Sequence, residues 1–142
     1  MDFLFNIKFL KILFLSISVF ILLDFLWLAV ISRKLYFNPL GYLAEIENDR
    51  IKFNLPVGLL VQSIIAMGLV VFIMITLQVQ NSLGVSIAAG SFLGFVLYCT
   101  YDLTNLSFVM KYPVFITVVD IAWGTAQGFF AGIYVYYMHS LL

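Results

Sequence analysis

The chain has 142 residues, 64% of them hydrophobic and 10% charged, with a mean hydropathy of +1.12 and no net charge. Soluble domains carry about 25% charged residues, and a core of this size cannot hide so much apolar surface, so lipid is the natural solvent. Seven basic residues balance seven acidic ones. That leaves no basic patch and argues against nucleic acid as a partner. The single cysteine, Cys99, excludes a disulfide framework and reads as inert inside a helix.

Four apolar stretches predict an all-α protein, a single transmembrane domain built as a four-helix bundle, with spans at about 12–31, 55–77, 83–101 and 113–137. The first runs from Ile12 to Ile31, and its length matches a hydrocarbon layer of about 30 Å. Its 15 Ile, Leu, Phe and Val residues outweigh the ~3 kcal/mol penalty of Asp24. Lys8 and Lys11 precede it as they would in a signal peptide. The run is too long for one, contains Asp24 and lacks an Ala-x-Ala site before Arg33, so it reads as a retained anchor. Asp24 and Trp27, three apart, share a helix face.

Loop one, Ser32 to Phe53, is aromatic and turn-rich around Tyr36-Phe37-Asn38-Pro39-Leu40-Gly41-Tyr42. It predicts an interfacial segment with a short helix near Leu43 to Asn48. The second span starts with Asn54 as N-cap and Pro56 in the first turn. Gln62 and Ser63 are the polar pair in its first half. The link Gln78 to Ser82 is short and uncharged, so the next helix is an antiparallel neighbour.

In the third span Ser86, Gly90, Gly94, Tyr98 and Asp102 recur every four residues. In the fourth, Asp120, Gly124, Gly128 and Gly132 do the same. Small residues at this spacing let two helix backbones approach closely. Each stripe ends on an aspartate.

Four spans place both termini on one side and loops one and three on the other. Arg33, Lys34, Arg50, Lys52 and Lys111 lie on the loop side, against Lys8 and Lys11 on the terminal side. That bias points loops one and three to the cytoplasm. Counted from the span limits, Asp24 and Asp120 lie at a common depth of about 10–12 Å below the loop surface. Asp102 and Asn105 sit at that surface, where the third helix exits. The two tryptophans, Trp27 and Trp123, each follow an aspartate by three. They fall in the first and fourth spans, which indicates convergence on one site and not a duplicated half.

Ionisable groups inside a span are functional candidates, so Asp24, Trp27, Tyr98, Asp102, Asn105, Asp120 and Trp123 form the candidate polar site. The competing reading makes Asp24 and Asp120 hydrogen-bonded cement between helices, Trp27 an interfacial belt residue, and Asp102 to Asn105 a helix-end motif. His139 stands alone near the C-terminus and has no assigned role. No phosphate loop, histidine cluster or Ser-His-Asp pattern can be placed, and the sequence leaves any cofactor unknown. Spacing alone does not assign a metal to Asp24, Asp102 and Asp120.

Three functions fit these residues. The first is a small transport or permeation protein, with oligomerisation, as a homo-oligomer, expected if a path exists. The second is an enzyme or its accessory acting on a lipid-phase substrate, with Asp24 or Asp120 as acid or base. The third is a structural partner of another membrane protein.

Several runs carry a resemblance to a known family: Leu23-Asp24-Phe25-Leu26-Trp27-Leu28, Tyr36 with Gly41, Gly68 to Phe72, Gly90 to Gly94, Tyr98-Cys99-Thr100-Tyr101-Asp102-Leu103-Thr104-Asn105, and Val119-Asp120-Ile121-Ala122-Trp123-Gly124. On these the chain resembles the bacterial membrane proteins grouped as domain of unknown function 2177. The resemblance spans nearly the whole chain. It implies a four-helix integral protein of a bacterial cytoplasmic membrane, and no activity. Family members have aromatic residues in the first half of the second span, where Gln62 and Ile65 stand, and a histidine where Tyr42 stands. The resemblance therefore gives these three positions no role.

Overall fold

A computed structural model describes residues 6–28, 33–42, 45–47 and 50–142, the side chains of Arg33, Lys34, Phe37, Asn38, Ile46 and Arg50 excepted. The described elements run α1 (Ile7–Leu26), α2 (Arg33–Leu40), β1 (Ile46–Glu47), β2 (Arg50–Ile51), α3 (Leu55–Val79), α4 (Leu83–Phe108) and α5 (Val114–Leu141). Four of the helices, α1, α3, α4 and α5, are long and apolar enough to cross a membrane. The protein is an all-α bundle of four membrane helices, and most of its large exposed side chains are apolar, as lipid contact requires.

Helix α1 begins at Ile7, ahead of the expected Ile12, because the side chain of Asn6 caps the Phe9 N–H at 2.7 Å. Lys8 and Lys11 are then helical, on long stems that can lift their charge toward the interface. Phe9, Ile12, Ser16, Phe20 and Asp24 form its buried stripe. The α-helical pattern stops at Leu26 and widens into a π-type turn at Trp27 and Leu28. The expected end at Ile31 lies outside the described residues.

Loop one differs from its expected form. Its helix is α2, at Arg33–Leu40, and not a segment near Leu43 to Asn48. Of that segment, Leu43, Ala44 and Asn48 lie outside the described residues, while Ile46 and Glu47 pair with Ile51 and Arg50 as a small antiparallel ribbon. Charge explains the preference: Lys52 sits 3.0 Å from Glu45 and 3.4 Å from Glu47, pairs that a hairpin brings across. All three side chains are solvent-exposed, so these pairs direct the local shape more than they stabilise it.

Asn54 caps α3 through the Val57 N–H at 3.3 Å, and Pro56 falls in the first turn. From Ala66 onward α3 buries Leu69, Val70, Ile73, Met74 and Leu77. They join Phe9, Ile12 and Phe20 of α1 and Ala131 and Val135 of α5 in the apolar core. That core fills the half of the bundle nearer the termini. The first seven residues of α3, Leu55 to Val61, are exposed instead.

Helices α4 and α5 are the closest pair, and their glycine stripes meet along the whole seam. A Cβ on Gly90 would lie 2.2 Å from the Gly128 carbonyl oxygen, and one on Gly94 would lie 2.2 Å from that of Gly124. Ser86 closes the far end by donating to the Gly132 carbonyl at 2.7 Å. Each step of four along α4 is thus matched by four back along α5, and the next step brings Tyr98 level with Asp120. Helix α4 continues to Phe108, well past the expected Tyr101, so Asp102 is not at the helix exit. It is a fully buried interior residue, 0% exposed. The turn into α5 puts Lys111 at φ 62°, a left-handed position uncommon for a side-chain-bearing residue.

Candidate functional site: a polar layer in one membrane half

Gln62, Asp102 and Asp120 lie six or seven residues inside the loop-side ends of α3, α4 and α5, which puts each about 9–10 Å deep at 1.5 Å per residue. Asp24 joins them from α1 through Gln62, whose amide donates to its Oδ2 at 2.6 Å. The other Asp24 oxygen accepts from the Trp123 indole at 3.2 Å and from the Gln127 amide at 3.3 Å. A carboxylate that is 6% exposed thus receives three N–H donors from α3 and α5. Gln127, fully buried, also accepts from the Tyr98 hydroxyl at 2.6 Å. Gly124 makes room for that tyrosine, since a Cβ there would fall 2.1 Å from Cδ2 of its ring.

Asp120 is held differently. The hydroxyl of Tyr36, from α2, donates to its Oδ1 and accepts from the Trp27 indole at 3.2 Å. Burial, then the bond to Asp120, push the Tyr36 phenol well above the usual tyrosine range, so it stays a donor at any ordinary pH. Helix α2 therefore dips into the layer and covers it from the loop side. Tyr42 ties the same loop to the α4–α5 turn, donating to the Lys111 carbonyl at 2.5 Å.

The two halves of the layer are joined by the indoles. Trp27 and Trp123 stack with centroids 4.3 Å apart and planes 7° from parallel. Their hydrogen bonds are crossed. The tryptophan that follows Asp120 serves Asp24, and the one that follows Asp24 serves Asp120 through Tyr36. The sequence repeat of aspartate and tryptophan is therefore a reciprocal arrangement between two helices.

Asp102 belongs to the neighbourhood but not to this network. Tyr112, just before α5, donates to its Oδ1 at 3.0 Å, and its Oδ2 is buried without a partner. Burial, followed by that bond, raises the Tyr112 phenol above its ordinary value. Asn105 is half-buried one turn further out, where its carbonyl accepts from the Val109 N–H at 2.8 Å. Thus Asp24, Trp27, Tyr98, Asp120 and Trp123 come together, Asp102 lies beside them, and Asn105 lies in the last turn of α4. Cys99 is a free, half-buried thiol within α4.

Sequence reasoning missed the roles of Gln62, Gln127, Tyr36 and Tyr112. Gln127 had a signal: it follows Trp123 by four and Asp120 by seven, on the same helix face. Gln62 stood out as a polar residue at a position where an aromatic was expected, and that departure is where it reaches Asp24.

Among the described residues, no cation pairs with Asp24, Asp102 or Asp120; the ion pairs are those of Lys52 with Glu45 and Glu47. Nor do the described residues include a group of three His, Cys, Asp or Glu side chains placed to hold a metal ion.

The bundle and its buried polar layer define a polytopic membrane protein. The chain belongs to the family described as predicted membrane protein (DUF2177), whose model matches residues 9–137. No curated protein and no solved structure matches it.

Proposed function

We propose that the polar layer is a proton- and cation-binding site of a small transport or permeation protein, set in the half of a bacterial cytoplasmic membrane that faces the cytoplasm. The observation that carries this reading is the imbalance of charge. Three carboxylates share one membrane half, and no described cation offsets them. Acids in that position take up a positive partner or a proton, because an isolated charge in apolar surroundings is costly. The groups facing one another across the site are Asp24 on α1, Tyr36 on α2, Tyr98 and Asp102 on α4, Tyr112 in the turn and Asp120 on α5. The excess of lysine and arginine around loops one and three supports the orientation.

The test is reconstitution into vesicles holding a pH-sensitive dye, with uptake driven by an imposed potential. Wild type is expected to acidify the lumen faster than protein-free vesicles. Asp120→Asn, which keeps the shape of the side chain and has fewer bonds to lose than Asp24, is expected to fall to background while folding normally. Wild-type vesicles that match empty ones, or a folded Asp120→Asn that matches wild type, would defeat the reading.

A second reading starts from Asp120, which is half-buried and holds a single described donor. It makes Asp120 the acid or base of an enzyme with a lipid-phase substrate. Its mark would be an Asp120-dependent change in the mass spectrum of added lipids, with no uptake signal.

A further inference from the structure

The hydrogen-bond inventory of the layer is lopsided. Among the described residues, its donating groups are the Gln62 and Gln127 amides, the two indoles, and the hydroxyls of Tyr36, Tyr98 and Tyr112. Each of these groups makes at least one bond to an acceptor of the layer. The atoms left open are Oε1 of Gln62 and Oδ2 of Asp102, both buried and both acceptors. Asp102 is 0% exposed, so lipid and bulk water do not reach it. It lies at the depth of Gln62 and Asp120, six or seven residues inside the loop-side ends of their helices. Gln62 cannot turn its amide to fill its own gap, because its nitrogen is held by Asp24 at 2.6 Å.

Native proteins leave few buried acceptors open without a reason, and a ligand is one such reason. The ligand that fits must bring donors, since the two open atoms are acceptors, and positive charge, since no described cation offsets the carboxylates. We infer that it is a primary ammonium group, the head of a small protonated aliphatic amine, which meets the open acceptors of the layer with Asp102 Oδ2 foremost. This rests on the cation-binding reading above and narrows it. A bare proton would supply one donor. A quaternary ammonium carries the charge with no N–H. A hard metal ion needs about six oxygen ligands. A primary ammonium carries three donors and one charge on a compact centre.

The tryptophans make the test direct. Trp27 and Trp123 are the chain's two tryptophans, and both lie in the layer. Tryptophan fluorescence of the full chain in lipid vesicles, excited where tyrosine does not absorb, therefore reports on this site. Titration with n-butylammonium chloride is expected to give a saturable change. Tetramethylammonium chloride at matched ionic strength is expected to bind about tenfold more weakly or worse, and sodium chloride to give no saturable change. Asp102→Asn should weaken butylammonium binding about tenfold with an unchanged helical signal. Gln62→Met removes the other open acceptor and carries the same expectation if Asp102→Asn does not fold. Equal responses to the two ammonium ions would overturn the inference, as would unaltered butylammonium binding in a folded variant. If no amine binds while Asp120-dependent proton uptake persists, the amine assignment fails and the cation-site reading stands. If both signals are missing, both fall.

Discussion

Gly128→Ala is expected to be the most damaging small substitution in the protein. The added Cβ would lie 2.1 Å from the carbonyl oxygen of Gly90, 2.7 Å from its carbon and 3.2 Å from Cα of Ser91. All three are backbone atoms of α4, so no rotamer change relieves the overlap and the two helices must part. Overpacking of a tight core costs about 1–3 kcal/mol, and an immovable backbone puts this case at or above the upper end. Parting the helices also moves Tyr98 away from Gln127 and disturbs the layer. The control is Gly58→Ala or Gly68→Ala, where nothing lies within 4 Å of the new Cβ. Alanine is the better helix former, so those variants should be neutral or more stable by up to about 1 kcal/mol. Unfolding in detergent, followed by far-ultraviolet circular dichroism, separates the two sets. Equal stability of Gly128→Ala and Gly58→Ala would mean that the α4–α5 seam is not as close as described.

The second large effect is at Asp24. Replacement by alanine strands Gln62, Gln127 and Trp123 at once, in surroundings with little water to take their place. Single hydrogen bonds between membrane helices contribute about 0.6 kcal/mol on average and up to about 1.7. Three lost together, each leaving a buried donor, predict a loss of about 2–5 kcal/mol. Asp24→Asn keeps one acceptor oxygen but turns its own amide toward a donor, so its loss should be smaller, on the order of 1–2 kcal/mol. The ranking wild type, Asp24→Asn, Asp24→Ala is the result to look for in the same unfolding assay. An alanine variant as stable as wild type would show that the three donors have other partners.

These two predictions draw on features with different legibility. The glycine stripes were readable because a spacing of four marks one helix face, and a face of glycine and serine has few uses other than close approach. The convergence of Asp24, Asp120 and their tryptophans was also readable, since polar groups in apolar spans stand out and helix spacing gives their depth. Asp102 was misjudged for a physical reason. An aspartate near a helix end reads as a terminator, but here Tyr112, ten residues on, donates to one of its oxygens and the helix continues. Gln127 and Gln62 were inconspicuous because glutamine is an ordinary helix former. Their importance depends on which neighbour they face, and only packing decides that. Helix α2 was hidden by the Asn38-Pro39 and Gly41 turn chemistry, while the docking of Tyr36 onto Asp120 spans 84 positions of sequence.

The layer also separates two kinds of carboxylate. Asp24 is saturated with donors and cements α1 to α3 and α5. Asp120 has one hydroxyl donor, and Asp102 keeps an open oxygen. The structural and functional readings of the sequence therefore need not compete. On the proposed reading, the first suits Asp24 and the second the other two.

The central claim is the crossed pairing of aspartates and indoles through the stacked tryptophans. It is tested most directly by nuclear magnetic resonance of the protein in micelles with its indole nitrogens labelled. The two indole N–H signals are assigned by Trp27→Phe and Trp123→Phe. The crossed arrangement predicts that Asp24→Asn displaces chiefly the Trp123 signal, and that Tyr36→Phe displaces chiefly the Trp27 signal. If Asp24→Asn instead moves the signal of Trp27, its neighbour on the same helix, and leaves Trp123 in place, the layer is not built as described.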